Sequence, residues 1–162
     1  MNNSSVFISE YNTPIGHVTL AANGNTLCGL WFAGQKYFRA GIPDDAQIKN
    51  VPIFVQTVLW LDKYFSGARP DISELDIAPH GTDFQKRVWR ELCNIPYGQT
   101  VTYGQIAAKI GNAPRAVGGA IGRNPISIII PCHRVIGVNH NLVGYAGGPE
   151  IKKQLLQHEG AI

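Results

Sequence analysis

The chain has 162 residues, of which 44% are hydrophobic and 15% are charged. This length suits one domain or two small ones packed together, and the composition excludes a disordered tail, a coiled coil and a collagen-like chain. The longest apolar runs are only a few residues, so no membrane span is predicted. Residues 1–80 carry five Lys or Arg against seven Asp or Glu, whereas residues 81–162 carry nine against four. The basic second half is therefore the one suited to face a polyanion.

The N-terminus and the spacing of the cysteines both indicate where in the cell the protein is located. The segment from Met1 to Val6 has neither the basic region nor the long apolar region of a signal peptide. Three widely spaced cysteines, Cys28, Cys93 and Cys132, form no C-x-x-C pair, which argues against a disulfide framework and a structural zinc site. We expect a cytoplasmic protein with at least one free thiol, no metal and no cofactor.

The first part of the chain is predicted to be rich in strands. Val6 to Tyr11 and His17 to Ala21 are predicted as strands, and Leu27 to Phe32 as the strand that returns after the hairpin signal Asn23-Gly24-Asn25. Residues 33–50 lose the apolar pattern and are predicted as a polar loop.

A helix is predicted from Pro52, a residue favoured in the first helical turn, to about Phe65. Its expected apolar face consists of Phe54, Val55, Val58, Leu59 and Leu61. Residues 71–80 are predicted as a linker. The chain is accordingly divided into a strand-rich domain over residues 1–78 and a second domain over residues 79–162.

The second domain is predicted to be mainly helical. Capping boxes at Thr82–Gln85 and Thr102–Gln105 begin two helices, and Gly111 ends the second of them. Pro114 then opens a third helix after a short turn. Two short helices joined by a glycine-containing turn favour a helix-turn-helix, although an ordinary helical corner gives the same pattern.

The helix opened by Pro114 carries Arg115 as its only charged residue, among Ala and Gly. Few of its side chains can read base edges, so sequence-specific recognition in the major groove is not expected. A surface of small residues with one Arg favours close contact with a duplex, in which Arg115 acts as a wedge or a phosphate contact.

Cys132 is the strongest chemical candidate, because it follows an apolar run closed by Pro131 and directly precedes His133. The thiolate is the nucleophile, so a reactive Cys needs a base or a cation nearby. His133 is the candidate base, and Glu159 could fold back to orient it. Each residue alone has an ordinary alternative, with Cys132 as a buried core thiol and Arg134 as a surface cation.

The run Pro131-Cys132-His133-Arg134-Val135 resembles the active-site signature of the O6-alkylguanine-DNA alkyltransferases, also called the methylated-DNA–protein-cysteine methyltransferases. The similarity covers roughly residues 82–160. Its further matches are Phe84-Gln85, Val88-Trp89, Tyr97-Gly98, Thr102-Tyr103-Gly104, Arg115 to Gly119, Asn124-Pro125, Gly144 to Gly148 and Leu155 to Gly160. The resemblance implies an α/β (α+β) fold, with a small strand-rich N-terminal domain and a mainly helical C-terminal domain that holds a helix-turn-helix and the active-site cysteine.

The same resemblance implies irreversible transfer of an alkyl group to the protein itself. The substrate would be double-stranded DNA that contains O6-alkylguanine, mainly O6-methylguanine, and the modified base would be flipped out of the duplex. We expect that O4-alkylthymine is also a substrate. The catalytic roles implied are those of Cys132 as acceptor, His133 as a base acting through a water, Glu159 as its orienter, Tyr103 in polarising the base, and Asn124 as a hinge.

The remaining implied site residues contact DNA or the flipped base. DNA contacts are implied for Tyr103, Arg115, Ala116, Gly119 and Arg123, with Arg115 entering the stack where the guanine leaves. The guanine pocket is implied at Val135, Tyr145, Ala146 and Gly147. Two departures from the family pattern stand out. The turn at Asn112-Ala113 is slightly short, and Ala146 stands where relatives often carry Ser.

Three other functions fit parts of the pattern. A sensor that only flags alkylated guanine would lack the acceptor Cys, which is present here. A cysteine hydrolase would need an oxyanion hole, for which the sequence gives no sign. A methylation-activated transcription factor would need a partner. We expect a monomer without a metal, since Cys28 and His17 lack further candidate ligands.

Overall fold

A four-stranded sheet forms the first part of the computed structural model, which describes residues 5–142 and 144–162. Its order is β3-β2-β1-β4. The strands are β1 (Val6–Thr13), β2 (Gly16–Asn23), β3 (Thr26–Phe32) and β4 (Gln47–Ile48). The first three pair antiparallel, whereas β4 pairs parallel with β1. The first four residues, on which the signal-peptide expectation partly rests, lie outside the described residues.

The predicted hairpin between β2 and β3 is confirmed. Gly24 and Asn25 form the two-residue turn, and Gly24 has a φ of 60°. A two-residue hairpin turn needs a positive φ at its first residue, which glycine adopts without a steric penalty.

The segment over residues 33–50, predicted as a polar loop, also contributes a strand and a buried contact to the sheet. It contributes the short strand β4, and its Ile42 packs on the sheet face that carries Cys28 and Trp31. The prediction missed this because a two-residue strand has no detectable apolar period. The loop consequently helps to bury the second face of the sheet.

Helix α1 (Pro52–Phe65) has the predicted bounds, but its predicted face was partly wrong. Val55 and Leu59 are exposed, with 47% and 56% of their surface accessible. The buried positions are Ile53, Phe54, Thr57, Trp60, Leu61 and Tyr64. These positions recur at helical spacing. The predicted face consisted mainly of aliphatic residues and therefore left out Trp60 and Tyr64, which are buried.

Four more helices form the second part: α2 (Asp83–Leu92), α3 (Tyr103–Ile110), α4 (Pro114–Gly122) and α5 (Pro149–His158). Both predicted capping boxes are present. Thr82 accepts from the amide of Gln85, and Thr102 from that of Gln105. Gly111 ends α3 in the left-handed conformation with φ 76°. The short strands β5 (Val101–Thr102) and β6 (Val135–Ile136) pair in parallel.

One hydrophobic core runs through both parts of the chain. The edge of β3 is joined to the second part, because Leu30 donates to the carbonyl of Pro125 and Ser127 donates to that of Leu30. This contact holds the buried run over residues 126–130 against the sheet. Ile128 within it has a φ of 71°, a costly conformation for a β-branched residue. The division at residue 78 stays a prediction.

Among the described residues, no helix has the length and apolar character needed to cross a bilayer.

Candidate active site

Cys132 lies at the start of a single 3₁₀ turn, Cys132–Arg134, that directly follows the buried run. Its side chain is buried, with 5% of the residue exposed. Burial raises the pKa of the thiol, while a hydrogen bond from the Asn124 side chain and the charge of Lys152 act in the opposite direction. Cys132 is therefore held as a neutral thiol whose ionisation needs a base.

Asn124 connects helix α4 to the segment that carries Cys132. Its Nδ2 donates to the carbonyl of Ile130 at 2.8 Å, and its Oδ1 accepts from the amide of Ile126 at 3.0 Å. These two bonds close a loop around the buried run. They support the predicted role of Asn124 as the link between the helix pair and the cysteine.

His133 is fully buried, and its Nε2 lies 2.7 Å from Oε2 of Glu159. Burial lowers the pKa of His133, so the imidazole is neutral. Because an ionised carboxylate only accepts, Nε2 carries the proton and donates to Glu159. The other nitrogen, Nδ1, then has a lone pair, and it has no hydrogen-bond partner among residues 5–142 and 144–162. A neutral imidazole oriented by a carboxylate is the arrangement of a general base.

Glu159 is the centre of a buried polar network. Its Oε1 accepts from Nε of Arg134 at 2.8 Å and from the amide of Gly98 at 3.3 Å. Its Oε2 accepts from His133, from Nη2 of Arg134 at 3.0 Å and from the hydroxyl of Tyr64 at 2.6 Å. Burial alone would raise the pKa of Glu159, but the hydrogen bonds from His133 and Arg134 and the charge of Arg134 outweigh it and hold this pKa far below its usual value.

Arg134 differs from the sequence-based alternative of a surface cation. Only 9% of it is exposed, and its Nη1 donates to the carbonyl of Ile95 at 2.7 Å. A buried guanidinium needs a paired carboxylate and satisfied donors. Glu159 and Ile95 supply them, so Arg134 is part of the site.

The sequence reasoning missed two buried residues that pack within the candidate site, namely Lys152 and Tyr64. Lys152 is fully buried on α5, its Nζ donates to the carbonyl of Val135 at 2.5 Å, and burial lowers its pKa to about 8. A signal existed, because Lys152 shares the helical spacing of Leu155, Leu156 and Glu159 on one face. Tyr64 gave no such signal, since 95 residues separate it from Glu159.

Tyr103 begins helix α3 close to Cys132. Burial, together with the negative charge that Cys132 develops, raises the pKa of Tyr103 to about 12. The phenol thus stays protonated and can donate. A Cβ on Gly144 would lie 2.6 Å from its hydroxyl oxygen, so glycine at that position makes room for Tyr103.

The predicted pocket residues lie in two places. Val135 is buried in β6, and its carbonyl is bound by Lys152. Tyr145 is buried with the ring against Gly147, where a Cβ would lie 2.6 Å from it. Burial and the nearby Cys132 raise the pKa of Tyr145 well above its usual value. The carbonyl of Ala146 accepts from the amide of Lys36 at 3.1 Å, which fixes the loop to the sheet-bearing part.

A groove of about 400 Å³ separates that loop from helix α4. We call it the α4 groove, and its lining residues are Lys36, Tyr37, Gly118, Gly119, Gly122, Gly144, Tyr145 and Ala146. Arg115, Ala116 and Gly119 are exposed on α4, as predicted for a contact surface. Arg123, just after α4, places its guanidinium 4.3 Å from the ring centroid of Tyr37.

No group of three His, Cys, Asp or Glu side chains able to hold a metal occurs in the described part of the chain. Both ring nitrogens of His17 lie beside oxygen atoms of other side chains. Its Nδ1 lies 2.7 Å from Oδ1 of Asn12, and its Nε2 lies 3.3 Å from Oε1 of Glu10.

Fold and site together define a class of protein in which a strand-rich part packs on a helical part with a buried Cys-His-Glu arrangement beside an exposed helix pair. Two family models match the chain. The ribonuclease-like domain of 6-O-methylguanine DNA methyltransferase matches residues 6–79, and the DNA binding domain matches residues 83–161. The chain belongs to this family, which confirms the resemblance and the fold class inferred from the sequence.

Relatives and solved structures agree with this assignment. A methylated-DNA–protein-cysteine methyltransferase of Methanosarcina barkeri is 51% identical over 149 residues, covering 91% of this chain and 92% of that protein. The protein of the same name from Haemophilus influenzae is 39% identical over 158 residues, covering 96% and 87%. The crystal structure of Mycobacterium tuberculosis OGT in complex with DNA aligns with a TM-score of 0.83 at 41% identity, covering 96% and 93%.

Proposed function

We propose that this protein repairs O6-alkylguanine, mainly O6-methylguanine, in double-stranded DNA by transferring the alkyl group irreversibly to Cys132. The observation that carries the proposal is the buried thiol next to a neutral His133 whose Nε2 is bound by Glu159 at 2.7 Å. Relatives that share 39–51% of their residues with the chain are named for this chemistry.

The proposed reaction is one displacement at the alkyl carbon. The Sγ–C bond forms as the C–O6 bond breaks, and the thiol proton passes to His133, directly or through a water. The departing guanine takes a proton from Tyr103, the donor we assign to it, and the thiol proton held by His133 then returns to Tyr103, so that both residues regain their starting states. The product is a thioether that water does not hydrolyse, so each protein molecule reacts once.

Burial of Cys132 supports base flipping in this proposal. A thiol with 5% of its residue exposed cannot reach an O6 atom inside a base stack, so the nucleotide must leave the duplex at a cost of a few kcal/mol. Helix α4 presents Arg115 among exposed small residues, and we assign Arg115 to the space the base vacates. The basic second half offsets the cost through phosphate contacts.

The flipped base would enter from the α4 groove, between Tyr145 and the Ala146-Gly147 backbone. The same pocket is proposed for O4-alkylthymine, because its alkylated oxygen is also exocyclic and adjacent to a ring nitrogen. We further propose that the protein acts as a monomer in the cytoplasm, where a reducing environment keeps Cys132 as a thiol.

The test is the intact mass of the protein after mixing with a duplex that carries one O6-methylguanine. We expect a gain of one methylene unit, saturating at one per protein and located on Cys132 by peptide mapping. Cys132→Ala should bind the same duplex without gaining mass, and Cys93→Ala, a matched control at a half-buried thiol, should react as the wild type. Tight binding without transfer by the wild type would instead indicate a lesion sensor.

A further inference from the structure

Tyr64 connects the strand-rich part of the protein to the centre of the site. It lies on helix α1, and its hydroxyl donates to Oε2 of Glu159 at 2.6 Å. The same oxygen accepts from Nε2 of His133 at 2.7 Å. With Nη2 of Arg134, three donors therefore share this carboxylate oxygen, and Tyr64 is the one supplied by the strand-rich part.

The position of Tyr64 is fixed on several sides. Only 1% of the residue is exposed, and its ring stacks on Trp60 with centroids 5.8 Å apart and lies edge-on to Phe65. Its own carbonyl oxygen lies 2.7 Å from Nε2 of His158, the residue before Glu159. Both the main chain and the hydroxyl of Tyr64 are thus bound to the end of helix α5.

We propose that Tyr64 is a positioning residue, whose hydroxyl fixes the Glu159 carboxylate and limits how strongly it attracts the proton of His133. The inference rests on the proposed function, since it assigns Tyr64 a part in the same proton transfer. Tyr64 acts only through Glu159 and His133.

The physical reason is competition for one acceptor oxygen. A carboxylate shared among several donors stabilises each of them less, and a hydroxyl proton directed at Oε2 opposes positive charge on the neighbouring imidazole. The hydroxyl of Tyr64 stays available as a donor, because burial and Glu159 raise its pKa. Without that hydroxyl, Oε2 would stabilise the imidazolium more, so the pKa of His133 would rise.

Other ionisable groups also face this network and must be kept constant in a test. Two of them form a pair, because the guanidinium of Arg69 lies over the ring of Tyr97. The others are Cys93, Cys132, Arg134, Tyr145, Lys152 and His158. Tyr64→Phe leaves all of them unchanged and keeps the buried ring.

Tyr97→Phe is the matched control. The Tyr97 ring packs edge-on to Tyr64 with centroids 6.0 Å apart. Its hydroxyl lies 3.5 Å from the carbonyl oxygen of His158 rather than on Glu159. The control therefore removes a neighbouring phenol hydroxyl without removing a donor to the carboxylate.

The experiment measures the pKa of His133 by nitrogen NMR of ring-labelled histidine, and in parallel the single-turnover transfer rate between pH 4.5 and 9. For Tyr64→Phe we expect the pKa to rise by about one unit, a tenfold change in proton affinity, and the acid limb of the rate profile to move upward equally. Tyr97→Phe should match the wild type. Replacement of Tyr64 by 3-fluorotyrosine, a stronger donor, should move both values the other way.

Coincident curves for Tyr64→Phe and the wild type would overturn the inference, as would equal shifts in Tyr64→Phe and Tyr97→Phe. If the wild type transfers no alkyl group, the proposed function fails, and the NMR titration still decides whether Tyr64 controls His133.

Discussion

Replacing Glu159 by Gln tests the buried network most directly. The substitution keeps the size of the side chain but removes the charge that pairs with Arg134 and accepts from His133 and Tyr64. The amide group of Gln would also point donors at the guanidinium. Removing one partner of a buried ion pair costs about 3–5 kcal/mol, a large part of the ~5–15 kcal/mol by which a domain is stable.

The loss should depend on pH, because the pKa of Glu159 in the folded protein lies below its ordinary value of 4.5. A lowered pKa contributes stability that is fully present above the ordinary value and is lost as the pH falls through the folded pKa. The wild type should therefore lose its advantage over Glu159→Gln progressively below pH 4.5. Between pH 6 and 8 the difference should be constant.

Urea unfolding at pH 7 measures this difference, and Glu150→Gln is the matched control, since Glu150 is exposed in the first turn of the same helix. We expect a midpoint shift with Glu159→Gln equivalent to at least about 3 kcal/mol, and a fall in melting temperature of roughly 10 °C for a chain of this size. A loss no larger than that of Glu150→Gln would refute the reasoning.

Two further predictions concern DNA and the site geometry. Arg115→Ala should slow repair of duplex DNA far more than reaction with free O6-methylguanine, because only in the duplex does the flipped base leave a space for Arg115 to fill. Equal losses on both substrates in single-turnover assays would contradict this role of Arg115. Gly144→Ala should slow transfer and destabilise the protein, because its Cβ would lie 2.6 Å from the hydroxyl oxygen of Tyr103 at φ +84°. Gly34→Ala, at φ +75° with open space around it, should cost only strain of about 1 kcal/mol, and similar transfer rates for the two variants would contradict the contact.

Local patterns made much of the fold predictable. The capping box at Thr102 and the left-handed Gly111 mark the two ends of α3, and both signals act within one helical turn. The short strand β4 lacked any comparable signal. It forms because β1 offers a free edge beside it, which is a tertiary cause.

The site was predictable where its residues are adjacent in sequence. Cys132 and His133 could be proposed from their order in the sequence, and Glu159 as a carboxylate that could fold back to orient His133, a role that the resemblance also implies. Arg134 was misjudged because a lone Arg is usually exposed, and its burial depends on a carboxylate 25 residues away. Tyr64 could not be found, since nothing in α1 indicates which distant acceptor its hydroxyl meets.

The close packing around Cys132 has a consequence for the protein after the proposed reaction. A methyl group on Sγ would add volume where 5% of the residue is exposed and where Asn124 binds the thiol. Extra volume in a filled interior costs about 1–3 kcal/mol. A molecule that has reacted would therefore be less stable than one that has not, and it would persist in the folded state for a shorter time.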